Sequence, residues 1–371
     1  MYEYFLNNRI ENTFQKFLYP LNLTDFLVYS PKYCISDNFI TPNNNKTKWR
    51  SFCCSFCYLL MFTLLFVYNS KLSDYYYLVY YFFLIIDIII ISSFIINFIV
   101  NSIQSDVHVD FVITIHKVQK SLKFSKFDYQ SFVIGNWIYM FILYFSYILL
   151  LGTHLYQNNL TISLCFYYIA LMISDANIIY LVRVIQLLNH VTITWMSELK
   201  YLDKVTTYGL STVSLNLKPY RKTLIKAYLD ITKAARLYEE MAKIPIIFYM
   251  ISDLFNVLFH VEVLLSYPKD FWANLIAGLL WTFKYFFLIA IISFKTEDFF
   301  TTLKNTQVVS LMRDAKVKSS GERMLYKNIL RAGYAACIAR ESGAFGLNAT
   351  LPLSFLSCIA TYVVVLLQFK F

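Results

Sequence analysis

The chain contains 371 residues, of which 58% are hydrophobic and 19% are aromatic, and its mean hydropathy is +0.51. Soluble domains contain about 45–50% apolar residues, so this composition excludes an ordinary soluble protein and favours a membrane protein. The formal net charge of +10 comes mostly from basic loops and does not indicate a nucleic-acid partner.

The N-terminal region, residues 1–50, is mixed polar and basic and predicts an irregular segment. No cleavable signal peptide is visible, so the first membrane helix is expected to serve as the targeting signal. Hydrophobic segments follow, each close to the roughly 20 residues that cross a bilayer as a helix. The predicted membrane spans are 51–68, 75–100, 132–152, 160–182, 244–267, 271–294 and 351–369.

The distribution of lysine and arginine predicts the orientation of these spans. Residues 1–50 hold 6 of them, and the loops 101–131, 183–243 and 295–350 hold 4, 10 and 9. Together these segments carry 29 of the 33 basic residues, and they all fall on one side of the predicted bilayer. Because basic loops stay inside, the N-terminus is expected in the cytoplasm and the C-terminus outside the cell. The same loops should favour contact with anionic membrane lipid.

The predicted fold is all-α, a polytopic membrane protein with seven transmembrane helices. Residues 1–50 form a cytoplasmic region, residues 51–294 a six-helix transmembrane bundle, and residues 351–371 the seventh helix. The loop 183–243 continues the fourth span with helical periodicity, and residues 295–350 are expected to form cytoplasmic anchor helices.

A capping box, Ser319-x-x-Glu322, predicts one of these anchor helices from about residue 320 to residue 340. Leu325 and Ile329 lie on its apolar face, and Lys327 and Arg331 lie on a basic face. The basic face is interpreted as a solvated surface in preference to a lipid or nucleotide site.

The seventh span carries a polar stripe along one helical face. At 100° per residue this face collects small or hydroxylated residues and ends in an amide: Ser354, Ser357, Thr361, Val364 and Gln368. The opposite side is expected to carry Leu356, Tyr362 and Leu366. Two interpretations fit the stripe, a pore-lining surface in an oligomer or a helix contact joined by Ser and Thr.

The end of the chain also carries a recognisable pattern: Thr361-Tyr362, five apolar residues, then Gln368-Phe369. This pattern resembles the C-terminal signature of insect gustatory receptors, and the preceding run from Cys337 to Asn348 resembles the same family. The resemblance implies a taste receptor that is a ligand-gated cation channel in the plasma membrane of sensory neurons. It further implies four subunits, identical or mixed with related receptors, around a pore lined by the last helix.

The resemblance assigns roles to particular residues. Pore and gate positions are Gln368, Phe369, Val364, Thr361, Ser357 and Ser354. A small tastant is expected in the outer halves of the bundle, at positions that combine aromatic walls with a few polar groups. These positions are Tyr77, Tyr81, Tyr144, Tyr147, Tyr168, Asn256, His260, Glu262, Trp272, Asn274 and Trp281. Ordinary packing is the alternative for each of them.

Ionisable residues inside membrane spans usually face a cavity or a partner. The predicted spans contain Asp87, Asp175, Asp253, Glu262 and Lys284. Asp253 and Lys284 lie at similar depth, which favours a salt bridge between them. Cys53, Cys54 and Cys57 are interpreted as buried apolar side chains and not as metal ligands.

Motifs typical of enzymes, such as Gly-rich phosphate loops, His-Glu-x-x-His and Gly-x-Ser-x-Gly, do not occur. We therefore expect neither an enzyme nor a bound cofactor. Two alternatives to a taste receptor stay open: a transporter of a small solute, which would need broken helices near the membrane centre, and a partner subunit that binds no ligand itself.

Overall fold

The computed structural model describes residues 8–27, 31–70, 77–122, 126–156, 162–207, 217–266, 271–314, 327–331, 333–334 and 348–370. Apart from one short β-hairpin, the described secondary structure is helical, which confirms the all-α prediction. The helices are α1 (Asn12–Leu27), α2 (Asn45–Ser70), α3 (Tyr77–Ile103), α4 (Ser105–Ser121), α5 (Lys126–Tyr156), α6 (Ile162–Thr207), α7 (Leu217–Ser266), α8 (Phe271–Asp314) and α9 (Leu351–Lys370).

Each predicted span coincides largely with one of these helices, and three helices run far beyond the predicted membrane. Helices α6, α7 and α8 contain 46, 50 and 44 residues. At a rise of 1.5 Å per residue each is more than twice as long as the roughly 30 Å hydrocarbon core. The predicted helical continuation beyond residue 182 is therefore confirmed, and the helices at the fifth and sixth predicted spans extend beyond their predicted bounds in the same way.

Within the described residues, four helices are long and apolar enough to cross a membrane, judged by length and composition. The corresponding stretches are Gln130–Gly152, Cys165–Leu202, Pro219–Glu262 and Gly278–Gln307. Helices α3 and α4 meet at an angle of 60° and give a fifth candidate if they are counted as one span. Helix α9 holds a shorter apolar stretch, Leu351–Val365.

The N-terminal region is ordered, so the prediction of an irregular segment was wrong for its described part. Helix α1 buries Phe14, Phe17 and Leu18, and its apolar face packs against α5 and α6. Behind it, strands β1 (Cys34–Ser36) and β2 (Phe39–Thr41) pair as an antiparallel hairpin. The turn residues Asp37 and Asn38 have φ angles of 49° and 68°, the left-handed conformation that tight hairpins require.

The C-terminal part of α6, the N-terminal part of α7 and the C-terminal part of α8 pack together, and we call this region the distal bundle. Trp195 of α6 donates an indole hydrogen bond to the Leu224 carbonyl of α7 at 2.7 Å, and its ring lies 4.7 Å from that of Tyr228. The helical residues 327–331 add to this bundle, with Ile329 buried and Lys327 and Arg331 exposed as predicted. The rest of the predicted helix 320–340, including its capping box, falls mostly outside the described residues.

Candidate functional site

A group of charged and aromatic side chains meets where α5, α6, α7 and α8 pack together. We call it the central cluster, and it comprises Tyr147, Tyr168, Asp175, Tyr249, Asp253, Trp281, Lys284 and Tyr285. Helical spacing explains why these residues converge, since Tyr249 and Asp253 are four residues apart on α7. On α8, Trp281, Lys284 and Tyr285 follow the same three- and four-residue rule.

An ion pair lies at the centre of the cluster. The Lys284 ammonium is 2.8 Å from the Asp175 carboxylate, and Asp175 is fully buried. Tyr147 donates a hydrogen bond to one carboxylate oxygen at 2.7 Å, and Tyr249 donates to the other at 3.0 Å. Asp175 therefore has partners on three other helices, and its charge joins α5, α7 and α8 to α6.

Aromatic rings form a wall around the Lys284 ammonium. Its nitrogen lies 4.1 Å from the ring centroids of both Trp281 and Tyr285, within the range of cation–π attraction. Tyr168 stacks on Trp281 with an interplanar angle of 5° and a centroid separation of 5.9 Å. The Lys284 side chain keeps 25% of its surface exposed, so this cage is open on one side.

The predicted salt bridge between Lys284 and Asp253 named the wrong aspartate, because the ion-pair partner of Lys284 is Asp175. Asp253 is only 1% exposed, and neither of its carboxylate oxygens has a hydrogen-bond partner within the described chain. One turn further along α7, Asn256 accepts a hydrogen bond from Tyr167 at 3.0 Å. On this face of α7, Asp253 therefore lies between two hydrogen-bonded residues, Tyr249 and Asn256, and has no hydrogen-bond partner of its own among the described residues.

The structure brings together only some of the residues predicted to bind a ligand. Tyr147, Tyr168 and Trp281 lie in the central cluster, and Asn256 adjoins it through Tyr167. Tyr144, one turn before Tyr147, instead shares a 2.7 Å hydrogen bond with Thr24 of α1.

The remaining predicted ligand residues are His260, Glu262 and four residues whose side chains are not described. His260 sits beside Gly278, where an added Cβ would lie 3.1 Å from the His260 Cβ. Glu262 is buried near the end of α7. The side chains outside the described part of the structure are those of Tyr77, Tyr81, Trp272 and Asn274.

Sequence reasoning missed Tyr249 and Tyr285 as members of the cluster. Their signal was present as helical spacing: Tyr249 is four residues from Asp253, and Tyr285 is four residues from Trp281 and directly follows Lys284. Asp175 was predicted to lie inside a membrane span, but the sequence did not indicate which helix would supply its partner.

Helix α9 packs on α7 and α8 through one apolar face. Pro352, Phe355 and Ile359 are buried on this face, and Val363 is half-buried. The polar stripe lies on the far side, since Ser357 and Thr361 are each two residues from Ile359, about 160° around the helix. The exposed members of the stripe are Ser354, Ser357, Thr361, Val364 and Gln368, and the side chain of Phe369 is not described.

Leu356 and Tyr362 lie on the two flanks of α9, between the packed face and the stripe, and their exposure differs from the prediction. Leu356 and Tyr362 are 46% and 49% exposed, so they do not form the face that packs inside the subunit. Two stripe hydroxyls are satisfied within the helix: Thr361 donates to the Ser357 carbonyl at 2.9 Å, and Ser354 donates to the Thr350 carbonyl at 3.2 Å. Such bonds let hydroxyls lie in an apolar environment, whereas the exposed amide of Gln368 favours contact with water or another polar group.

No family model matches the chain, and a search of curated proteins finds no significant match. Among the described residues, no group of three or more His, Cys, Asp or Glu side chains is placed to hold a metal ion.

Proposed function

We propose that the chain is a subunit of a ligand-gated cation channel of the gustatory receptor type, located in the plasma membrane of a sensory cell. The observation that carries the proposal is the polar stripe of α9. It belongs to the same residues that resemble the gustatory receptor signature, and it is exposed opposite the face that packs on the subunit's own helices. In a tetramer this stripe would line the pore, with Gln368 and Phe369 at the gate.

The proposed topology has seven spans, with the N-terminus in the cytoplasm and the C-terminus outside. Helices α2 and α9 supply the first and the seventh span, and α3 and α5 to α8 supply the others. This arrangement places 29 of the 33 basic residues on the cytoplasmic side, as the positive-inside rule favours. The distal bundle of α6, α7 and α8 would then lie in the cytoplasm and anchor the four subunits.

The connection between ligand and gate would pass through α7 and α8. Both helices contribute to the central cluster, and both contact α9. A tastant bound at the cluster would move these two helices and draw the stripe of α9 away from a closed constriction. The ligand opens the gate only by as much as it binds the open state more tightly than the closed state.

The transporter alternative expects helices broken near the middle of the membrane. Within the described chain, the bent pair of helices turns at Gln104, between α3 and α4. This position is close to the predicted cytoplasmic end of the second span, so it gives that alternative no support.

Current recording tests the proposal. The full chain would be expressed alone in cells without native taste receptors and exposed to a panel of sugars, bitter compounds, amino acids and amines. A ligand-dependent cation current is the expected result. Saturable solute uptake without channel currents would favour a transporter, and currents that need a second receptor would favour a partner subunit.

A further inference from the structure

Asp253 is the most unusual group in the bundle. It is 1% exposed, and both of its carboxylate oxygens are buried without a hydrogen-bond partner in the described part of the chain. Tyr249 and Asn256, one turn on either side along α7, both bond to neighbouring helices. Asp253 lies on the same side of the helix as these two residues, and its carboxyl interacts electrostatically with Lys284 and Asp175.

When Asp253 is ionised, the charges of the central cluster do not balance. Asp175 and Asp253 are acidic, whereas Lys284 supplies one ammonium, and that ammonium is already bonded to Asp175 and Tyr147. A buried carboxylate without a partner costs several kcal/mol, so Asp253 is protonated unless a cation pairs with it. A further positive charge that carries hydrogen-bond donors would keep Asp253 ionised, neutralise the cluster and satisfy both carboxylate oxygens.

The surrounding surface selects the kind of cation. Tyr147, Trp281 and Tyr285 present aromatic faces to Lys284, whose nitrogen lies 5.1 Å from the first ring centroid and 4.1 Å from the other two, so these faces accept an ammonium. A carboxylate beside aromatic rings is the arrangement that recognises organic ammonium ions. An inorganic cation would instead need several oxygen ligands in place of aromatic walls.

We infer that the central cluster binds a small organic ammonium compound, with Asp253 as the contact for its charge and Trp281 as a wall for its apolar part. The inference rests on the proposed function, because it makes the cluster the ligand site of the channel. With the ligand bound, two carboxylates would face two ammonium groups. The charge count then favours an amine over a neutral sugar or alcohol.

Binding to the purified full chain in detergent tests this inference without any current. Calorimetry would compare benzylammonium with benzyl alcohol, which has a similar shape and no charge, and with sodium chloride at the same ionic strength. Saturable binding of benzylammonium alone is expected. Asp253→Asn keeps the size of the side chain, removes its charge and should weaken this binding at least about tenfold.

Asp298→Asn is the matched control, because Asp298 is 57% exposed and lies outside the cluster. It should bind benzylammonium as the wild type does. Equal binding by Asp253→Asn, equal binding of benzyl alcohol, or displacement of benzylammonium by sodium would each overturn the inference. So would the absence of saturable binding for benzylammonium and butylammonium alike.

The wild-type comparison of amine and alcohol remains decisive even if Asp253→Asn does not fold. The two proposals also fail separately. A chain that binds benzylammonium through Asp253 but never conducts would overturn the channel and leave the site. A chain that conducts in response to other tastants and binds no ammonium would overturn this site alone.

Discussion

Asp175 and Asn177 lie two residues apart on α6, and their side chains belong to two different buried polar networks. Asp175 binds Lys284 of α8, whereas Asn177 accepts a hydrogen bond from Lys32, which follows α1. Lys32 also pairs with Asp25 at the end of α1. One turn of α6 therefore joins the N-terminal region to the centre of the bundle.

The central ion pair should be sensitive to the loss of either partner, but not equally. Lys284→Met would leave Asp175 and Asp253 both buried without a cation, and we expect it to cost about 3–5 kcal/mol. Asp175→Asn should cost less, because Lys284 can turn toward Asp253. The double variant Asp175→Asn, Lys284→Met should be more stable than Lys284→Met alone.

Thermal unfolding followed by size-exclusion chromatography in detergent would measure these differences. The control is Lys295→Met, which breaks the exposed pair between Lys295 and Asp298. An exposed pair contributes at most about 1 kcal/mol, so this variant should match the wild type. If Lys284→Met were as stable as Lys295→Met, the central pair would have no role in holding the bundle together.

The N-terminal pair predicts a pH-dependent effect. Burial raises the pKa of the Asp25 carboxyl, and the Lys32 ammonium opposes this rise. In Lys32→Met that opposition is lost, so the folded-state pKa of Asp25 rises further and the protonated carboxyl becomes the form compatible with folding. Stability is then lost as pH rises through that pKa, and the variant should be further below the wild type at about pH 8 than at about pH 5.

Melting temperatures at the two pH values would check this prediction. Lys16→Met is the control, because Lys16 is exposed on α1. Adding Asp25→Asn to Lys32→Met should remove the pH dependence of the difference. A deficit in Lys32→Met that is equal at both pH values would mean that Asp25 does not carry the effect.

Sequence periodicity predicted the long helices, but it could not predict which helix packs against which. Hydrophobic length fixed the position of Lys284 and Asp253 along their own helices, which is why they were expected to pair. The choice of Asp175 depends on how α6, α7 and α8 rotate against one another, and this rotation is set by packing across the whole bundle. The spacing of Trp281 and Tyr285 around Lys284 could be seen in the sequence. The packing of both rings against the Lys284 ammonium could not be predicted from it.

In the N-terminal region, sequence reasoning missed a helix, α1. Phe14, Phe17, Leu18 and Leu21 follow the three- and four-residue spacing of an amphipathic helix. Pro20 and the short length of the segment weakened that signal, since proline is unfavourable inside an isolated helix. Tertiary contact compensates, as in the Asn136 side chain that donates to the Phe17 carbonyl at 2.8 Å.

The distal bundle offers a test of close packing at Gly333. A Cβ added there would lie 2.4 Å from the Tyr228 hydroxyl oxygen and 2.6 Å from the Gln307 amide nitrogen. Gly333→Ala should therefore destabilise the protein by about 1–3 kcal/mol, the usual cost of overpacking. Tyr228→Phe removes the nearer atom, so the double variant should recover part of this loss.

Gly152→Ala is the matched substitution, because a Cβ at Gly152 meets nothing within 4 Å. Alanine is also the better helix former, so this variant should be at least as stable as the wild type in thermal unfolding. Equal stability of Gly333→Ala and Gly152→Ala would contradict the packing of residues 333–334 against α7 and α8.

The stripe of α9 gives the sharpest prediction about the gate. In the proposed tetramer four copies of Gln368 crowd the axis, so Gln368→Ala should weaken the closed state and raise the current without ligand. Each 1.4 kcal/mol lost from the closed state would raise the open-to-closed ratio about tenfold. Ile359 is 6% exposed on the packed face, so Ile359→Ala should lower the yield of folded protein without producing this leak.

In the proposed channel, cysteine accessibility would show which face of α9 lines the pore. Cys53, Cys57 and Cys358 are exposed in the wild type, so the interpretation of the first two as buried was wrong, and the experiment starts from a variant with serine at all three positions. Single cysteines at Ser357, Thr361 and Val364 should then react with a small charged thiol reagent in the open channel and block its current. A cysteine at Ile359 should stay silent, because that side chain is covered by the subunit's own helices.

A cysteine at Tyr362, which is 49% exposed on the flank, separates the two interpretations of the stripe. If position 362 reacted and the three stripe positions did not, the pore would lie along that flank, and the stripe would be a contact between helices.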